Sequence, residues 1–113
     1  MIFQVAGGCG LGALEAAKQK DVWGIGVDAD QSFLGPHILT SAVKRVDSAV
    51  FLAIKSVKDG KFKGGNVTYG LKDNGVALGK VSPRVPKSDV AKVQKIRADI
   101  IAGKIKNIPT IVK

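Results

Sequence analysis

Apolar positions in this chain fall into short runs and helical stripes that alternate along its length. Ile2 to Val5 is a brief apolar run stopped by glycines, the pattern of a buried strand. From Leu11 to Lys20 the spacing turns helical. Leu11, Leu14 and Ala17 share a face, and Lys18 and Lys20 suit the negative end of the helix dipole. Val22 to Val27 is a second apolar run, with Trp23 near its start and expected in the core. Two such strands joined by a helix predict a right-handed βαβ unit with parallel strands.

Gln31 to Pro36 reads as a loop, followed by His37 as one more loop residue, and Ile38-Leu39 reads as a brief third strand. Thr40 or Ser41 is placed to cap a helix whose stripe runs Val43, Val46, Val50, Ile54 and Val57. Lys44 flanks that stripe. Asp59-Gly60 ends the helix, with Gly60 as a left-handed cap. The period then changes to two. Val67, Tyr69 and Leu71 alternate with Thr68 and Gly70, and Val76 and Leu78 follow Asn74-Gly75, which predicts a hairpin. Pro83 and Pro86 mark a linker. Ser88 is placed to cap a last helix ended by Gly103, and Ile105 to Val112 reads as an edge strand. This order predicts an α/β fold with parallel βαβ units and an antiparallel hairpin.

Bulk properties narrow the function classes. At 113 residues the chain holds one domain at most, and its 45% apolar content supports a modest core. No apolar run approaches the roughly 20 residues that span a bilayer. No basic leader or cleavage site is visible, so the chain by itself is expected to be soluble. The formal charge of +9 favours anionic partners, but no basic run exceeds Lys44-Arg45 and aromatics are few. Nucleic acid is therefore not the expected partner. The single Cys9 and single His37 offer no disulfide and no metal-ligand spacing. No cofactor and no catalytic set is expected.

The chemistry concentrates in the first thirty residues. Gly8-Cys9-Gly10-Leu11-Gly12-Ala13 fits G-x-G-x-x-A between a strand and a helix, and Asp28 lies twenty residues beyond Gly8 at a strand tip. Glycines there admit a ligand to bare backbone, and the carboxylate can grip sugar hydroxyls. One reading is a small Rossmann-like dinucleotide-binding enzyme or subunit. Another is a site for a nucleoside with no chemistry following. Asp28 has a third option, as the cap of the next turn, and Asp30 reads as an Asx-turn residue.

Four blocks, in order, carry a resemblance: Phe3-Gln4-Val5-Ala6-Gly7-Gly8-Cys9-Gly10-Leu11-Gly12, Ile25-Gly26-Val27-Asp28-Ala29-Asp30-Gln31, Leu39-Thr40-Ser41-Ala42-Val43-Lys44-Arg45-Val46-Asp47 and Tyr69-Gly70-Leu71-Lys72-Asp73-Asn74-Gly75-Val76. Together they resemble the basic membrane protein family, the substrate-binding lipoproteins of ABC transporters similar to the purine nucleoside receptor. The resemblance implies a two-lobed type I periplasmic binding fold that traps a nucleoside, of which this chain looks like a C-terminal portion. It implies residues 1–39 as a βαβ piece of one lobe and 40–113 as a crossover helix, hairpin and C-terminal helix, with the lobe crossing near Thr40. It implies ligand contacts from Asp28, from Lys44 and from the loop Val5, Ala6, Gly7 and Gly8. It departs at Cys9, where relatives commonly carry Thr. It further implies a transporter permease as partner of the full-length protein, and anchoring outside the cytoplasmic membrane. A lone portion would expose surface that its missing lobe covers, so self-association is expected.

Overall fold

The glycine turn after the first apolar run and the helix behind it set the architecture. The computed structural model describes residues 1–109. Strands β1 (Ile2–Phe3), β2 (Gly24–Asp28), β3 (Ile38–Lys44) and β4 (Val76–Leu78) form one sheet in the order β1-β2-β3-β4. The first three are parallel, and β4 runs antiparallel to β3. Helix α1 (Gly10–Gln19) links β1 to β2, α2 (Val46–Lys58) follows β3, and α3 (Lys87–Ile101) follows β4. Short 3-10 turns occupy Gly7–Cys9 and Ser32–Leu34.

Helix α1 covers one face of the sheet. Leu14 and Ala17 are buried with Ile38, whereas Leu11 stays half exposed. Gly24 makes this packing possible. A Cβ there would stand 2.8 Å from Leu14 Cδ2 and 3.0 Å from Ile38 Cδ1. His37 is not a loose loop residue. It is buried, and its Nε2–H donates to the Leu14 carbonyl at 3.1 Å, fastening the helix to the start of β3. Trp23, expected in the core, is 39% exposed and carries Arg84 over its ring at 5.3 Å. It precedes β2, so its side chain escapes the covered face.

Other expectations are corrected. The third strand is not the pair Ile38-Leu39 but continues to Lys44, and neither Thr40 nor Ser41 caps a helix. Their hydroxyls are committed elsewhere: Ser41 Oγ accepts the Gln31 N–H, and Thr40 Oγ1 donates to the Gly79 carbonyl. β-Branched Ile38, Thr40 and Val43 favour the strand. Helix α2 therefore starts at Val46 without a side-chain cap. The hairpin is also different. Asn74 has the positive φ of +54° that the turn requires, but 67–71 is not a strand. The Gly75 N–H closes on the Gly70 carbonyl, and β4 pairs with β3 instead, a longer-range partner with more ladder to offer. Helix α3 begins at Lys87 after Pro86, with no cap from Ser88. Gly60 does adopt the left-handed conformation expected of it, at +65°, and Gly103, which ends α3 as expected, is also left-handed at +70°. Residues 105–109 are not in a strand, and 110–112 lie outside the described residues.

The second sheet face is only partly covered. A hollow of about 310 Å³ separates it from α3, lined by Phe3, Ile25, Ala42, Leu78, Val90 and Val93 among others. No residue of α2 is buried, and Phe51 and Ile54 are 65% and 64% exposed on a helix with a clear apolar stripe. The Cα radius of gyration is 16.5 Å, against about 13 Å for a compact domain of this length. The accessible surface of 8524 Å² exceeds that of an ordinary folded monomer of 11.8 kDa by roughly 2,600 Å².

Candidate functional site

Parallel pairing of β1, β2 and β3 puts their carboxyl ends on one edge of the sheet. The loop Val5-Ala6-Gly7-Gly8 leaves β1 at that edge, Asp28 ends β2 there, and Lys44 ends β3 there. The antiparallel partner of Lys44 is Val76, so the Asn74-Gly75 turn reaches the same edge. All six residues expected at a ligand site are thus gathered at the open ends of neighbouring strands, the usual place for ligands on parallel sheets.

Asp28 and Lys44 form an ion pair, with Lys44 Nζ 2.7 Å from Asp28 Oδ1. Lys44 does not flank a helix stripe, as its spacing suggested; it is the last residue of β3, beside the end of β2. Asp28 has φ of +69°, a left-handed conformation at the moment the strand ends. That backbone turn carries its carboxylate off the ladder. Both side chains remain more than half exposed, at 68% for Lys44 and 51% for Asp28. The loop opposite is open: Val5, Ala6, Gly7 and Gly8 are exposed, and a Cβ on either glycine would meet nothing within 4 Å. Gly7 needs its freedom for another reason, a φ of +54°.

Beneath this edge runs a chain of polar side chains that periodicity did not single out. Gln4 is 5% exposed. Its Oε1 accepts the Ala6 N–H at 3.1 Å, and its Nε2 donates to Gln31 Oε1 at 3.3 Å. Gln31 Oε1 also accepts the Val27 N–H at 3.0 Å. The Gln31 N–H donates to Ser41 Oγ, which donates to Asp30 Oδ1. Asp30 accepts from the Ser32 N–H and hydroxyl, as an Asx turn predicts. Partial desolvation pushes the Asp30 carboxyl upward. Hydrogen bonds from the Ser32 N–H, the Ser32 hydroxyl, the Lys80 N–H and the Ser41 hydroxyl outweigh it, so its pKa lies below the ordinary value. The signal available in the sequence was Gln4 itself, a polar residue inside the apolar run Ile2 to Val5.

This chain of amides reassigns the glycine fingerprint. A Cβ on Gly10 would fall 1.9 Å from Gln4 Oε1, so that glycine seats a protein carboxamide. Gly26 likewise makes room for Gln31 and Ser41, each 2.6 Å from a notional Cβ. The second glycine of the dinucleotide pattern is therefore explained by its packing against Gln4, with no appeal to a pyrophosphate. Cys9 is exposed and free. Among the described residues there is no cluster of His, Cys, Asp or Glu able to hold a metal ion, and no helix long and apolar enough to cross a membrane. The hollow under α3 lies on a sheet face, away from the carboxyl edge. The surface facing it is apolar, and the two polar residues in its wall are engaged elsewhere, Thr40 with the Gly79 carbonyl and Asp89 with Lys92, so it is a packing groove.

Comparison with known proteins gives the family. Residues 1–110 match the Bmp family model, described as ABC transporter substrate-binding protein PnrA-like. The ABC transporter nucleoside-binding protein BmpA of Lactococcus lactis is 39% identical over 93% of this chain and 35% of its own length. Basic membrane protein D of Borreliella burgdorferi is 41% identical over 94% of this chain and 33% of its own. The chain thus spans about a third of the length of the curated relatives it matches. A transcriptional activator of the comK gene from Bacillus halodurans superposes with a TM-score of 0.85 at 30% identity, over 94% of this chain and 38% of that one. An ABC transporter solute-binding protein from Aeropyrum pernix superposes with a TM-score of 0.75 at 27% identity, over 96% and 40%. The parallel-dominated α/β sheet is that of solute-binding proteins, and the chain belongs to the Bmp family of PnrA-like ABC transporter substrate-binding proteins.

Proposed function

We propose that this chain carries one side of a solute-binding cleft that takes a purine nucleoside or a similar sugar-bearing solute, without catalysis. The observation that carries this reading is the gathering of Asp28, Lys44 and the open Gly7-Gly8 backbone on one sheet edge. In the proposed site the Asp28 carboxylate accepts hydrogen bonds from ribose hydroxyls. Lys44 holds that carboxylate in place and donates to the solute. The exposed loop lets the sugar and base approach main-chain groups. The nucleoside-binding name of the Lactococcus lactis relative supports the choice of solute class.

The protein that carries this portion hands its solute to a transporter permease and works as a lipoprotein on the outer face of the membrane. In this reading residues 1–39 belong to the ligand-binding lobe, and the chain crosses to the other lobe near Thr40. The exposed α2 stripe and the groove under α3 are surfaces that the rest of such a protein covers. On its own, this chain self-associates through them.

A ¹H–¹⁵N NMR titration with inosine tests the solute reading. A millimolar midpoint is expected, since groups from a second lobe are not contributed by this chain, with shifts at Gly7, Gly8, Asp28 and Lys44. Shifts confined to α2 and α3, or none up to the solubility limit of inosine, overturn it.

A further inference from the structure

Buried Gln4 and half-buried Gln31, beneath the candidate site, do more than satisfy each other. We propose that the Gln4–Gln31 carboxamide bridge is a positioning device that holds the Val5–Gly8 loop against the end of β2, setting the gap between that loop and Asp28. The proposal rests on the nucleoside reading only in assigning the loop to the solute.

The bridge joins two backbone segments that no ladder connects at this point. One end is the Ala6 N–H, in the loop after β1; the other is the Val27 N–H, one residue before Asp28. Those N–H groups also fix which way each carboxamide faces. A backbone N–H can only donate, so each holds an oxygen: Gln4 Oε1 at Ala6 and Gln31 Oε1 at Val27. Gln4 must then present Nε2 toward Gln31, and it does, at 3.3 Å. Neither amide can flip without setting donor against donor. The bridge has therefore a single polarity, running from the Gln4 amide nitrogen to the Gln31 carbonyl oxygen.

Two glycines are spent on accommodating it. Gly10 and Gly26 leave space that a Cβ would take from Gln4 and from Gln31 with Ser41. The far end is anchored as well. The Gln31 N–H is held by Ser41 Oγ, Ser41 reaches Asp30, and the Ser41 carbonyl accepts the Gly79 N–H beyond β4. Gln31 is thereby fixed to β3, and the loop after β1 is fixed to Gln31. The Gln4 carboxamide is not offered to solute. Gln4 is buried with both of its hydrogen bonds internal, and the Gln31 carbonyl oxygen is taken up by Gln4 and Val27, so both residues act through the loop they hold.

The single polarity gives a test. Gln31→Glu keeps an oxygen facing both Gln4 Nε2 and the Val27 N–H. Gln4→Glu sets a carboxylate oxygen against Gln31 Oε1, and Gln4→Met removes the amide at nearly constant volume. Amide hydrogen exchange at Ala6, amide shifts of Gly7 and Gly8, inosine affinity and Tm are measured on each full-chain variant. Gln4→Glu and Gln4→Met are expected to speed Ala6 exchange about tenfold or more, to move the Gly7 and Gly8 resonances and to weaken inosine about tenfold. Gln31→Glu is expected to stay within about threefold of wild type in exchange and affinity. The proposal is overturned if Gln4→Met leaves Ala6 exchange and the glycine shifts unchanged, or if Gln31→Glu is as damaging as Gln4→Glu. Should Gln4→Glu fail to fold, Gln4→Met and Gln31→Glu decide. A wild-type chain that ignores inosine overturns the nucleoside reading alone; the exchange and shift measurements still judge the bridge.

Discussion

Lys44 Nζ stands 2.7 Å from Asp28 Oδ1, joining the last residues of two neighbouring parallel strands. The pair is exposed, so its contribution to stability is small, about 0–1 kcal/mol. Its value lies in orientation. A carboxylate at a left-handed strand end has few local restraints, and the ammonium supplies one. Asp28→Asn keeps a side chain that tolerates positive φ. It is expected to leave Tm nearly unchanged while weakening inosine about tenfold or more, as a charge-assisted acceptor is lost. An NMR titration beside thermal unfolding checks this. Unchanged affinity would remove Asp28 from the site.

The two glycines of the loop-to-helix turn are expected to respond in opposite ways to alanine. At Gly10 the new methyl overlaps the Gln4 carboxamide, a buried group with little room to yield. Gly10→Ala should destabilise the chain by about 1–3 kcal/mol. Gly12 sits in α1 with open space around it, so Gly12→Ala should stabilise by about 0.5–1 kcal/mol through helix propensity. Urea unfolding of both variants is the measurement. Equal effects would contradict the seat assigned to Gln4.

Two carboxylates carry a pH signature. Asp30 has a pKa below its ordinary value, and Asp47 is held at about 2, chiefly by hydrogen bonding from Arg45. A carboxyl whose pKa is depressed by folding contributes stability above the unfolded value of 3.8, and that contribution is lost as pH falls toward the folded value. Acid unfolding should therefore steepen below pH of about 4. Ser41→Ala should raise the Asp30 pKa, and Arg45→Ala should return Asp47 toward 3.8. Carboxyl ¹³C titration resolves each residue; an Asp30 curve indifferent to Ser41 would break the polar chain at that link.

Self-association should depend on the apolar stripe of α2. Phe51, Ile54 and Val57 are exposed together on that helix, and the chain carries a large surplus of accessible surface. Phe51→Glu with Ile54→Lys is expected to return the particle to the monomer mass of 11.8 kDa in light scattering, with α2 otherwise intact. A wild-type chain already monomeric at high concentration would refute the expectation.

Several parts of this protein were legible in local sequence. The glycine turn and helix near the start, the strand ending on Asp28 and the left-handed cap Gly60 each follow from residues close together in the chain, whereas the first strand, expected buried to Val5, is the exposed pair Ile2–Phe3. Periodicity and backbone freedom act over a few positions, so the sequence alone determined these elements, the α/β class and the placement of Asp28 at a strand tip.

Other parts needed the third dimension. Whether Thr40 to Lys44 is helix or strand turned on whether β2 and β4 offered a ladder, and they did, from both sides. That decision carried Lys44 off the expected helix and onto Asp28. The same long-range pairing took β4 away from its nearest neighbour in sequence. Gln4 and Gln31 are 27 positions apart, and no local rule joins them. The stripe on α2 was readable as apolar but not as uncovered, because burial depends on which surfaces meet. Hydrogen-bond partners and packed faces are set by distant segments competing for the same groups, and only the folded chain records which of them won.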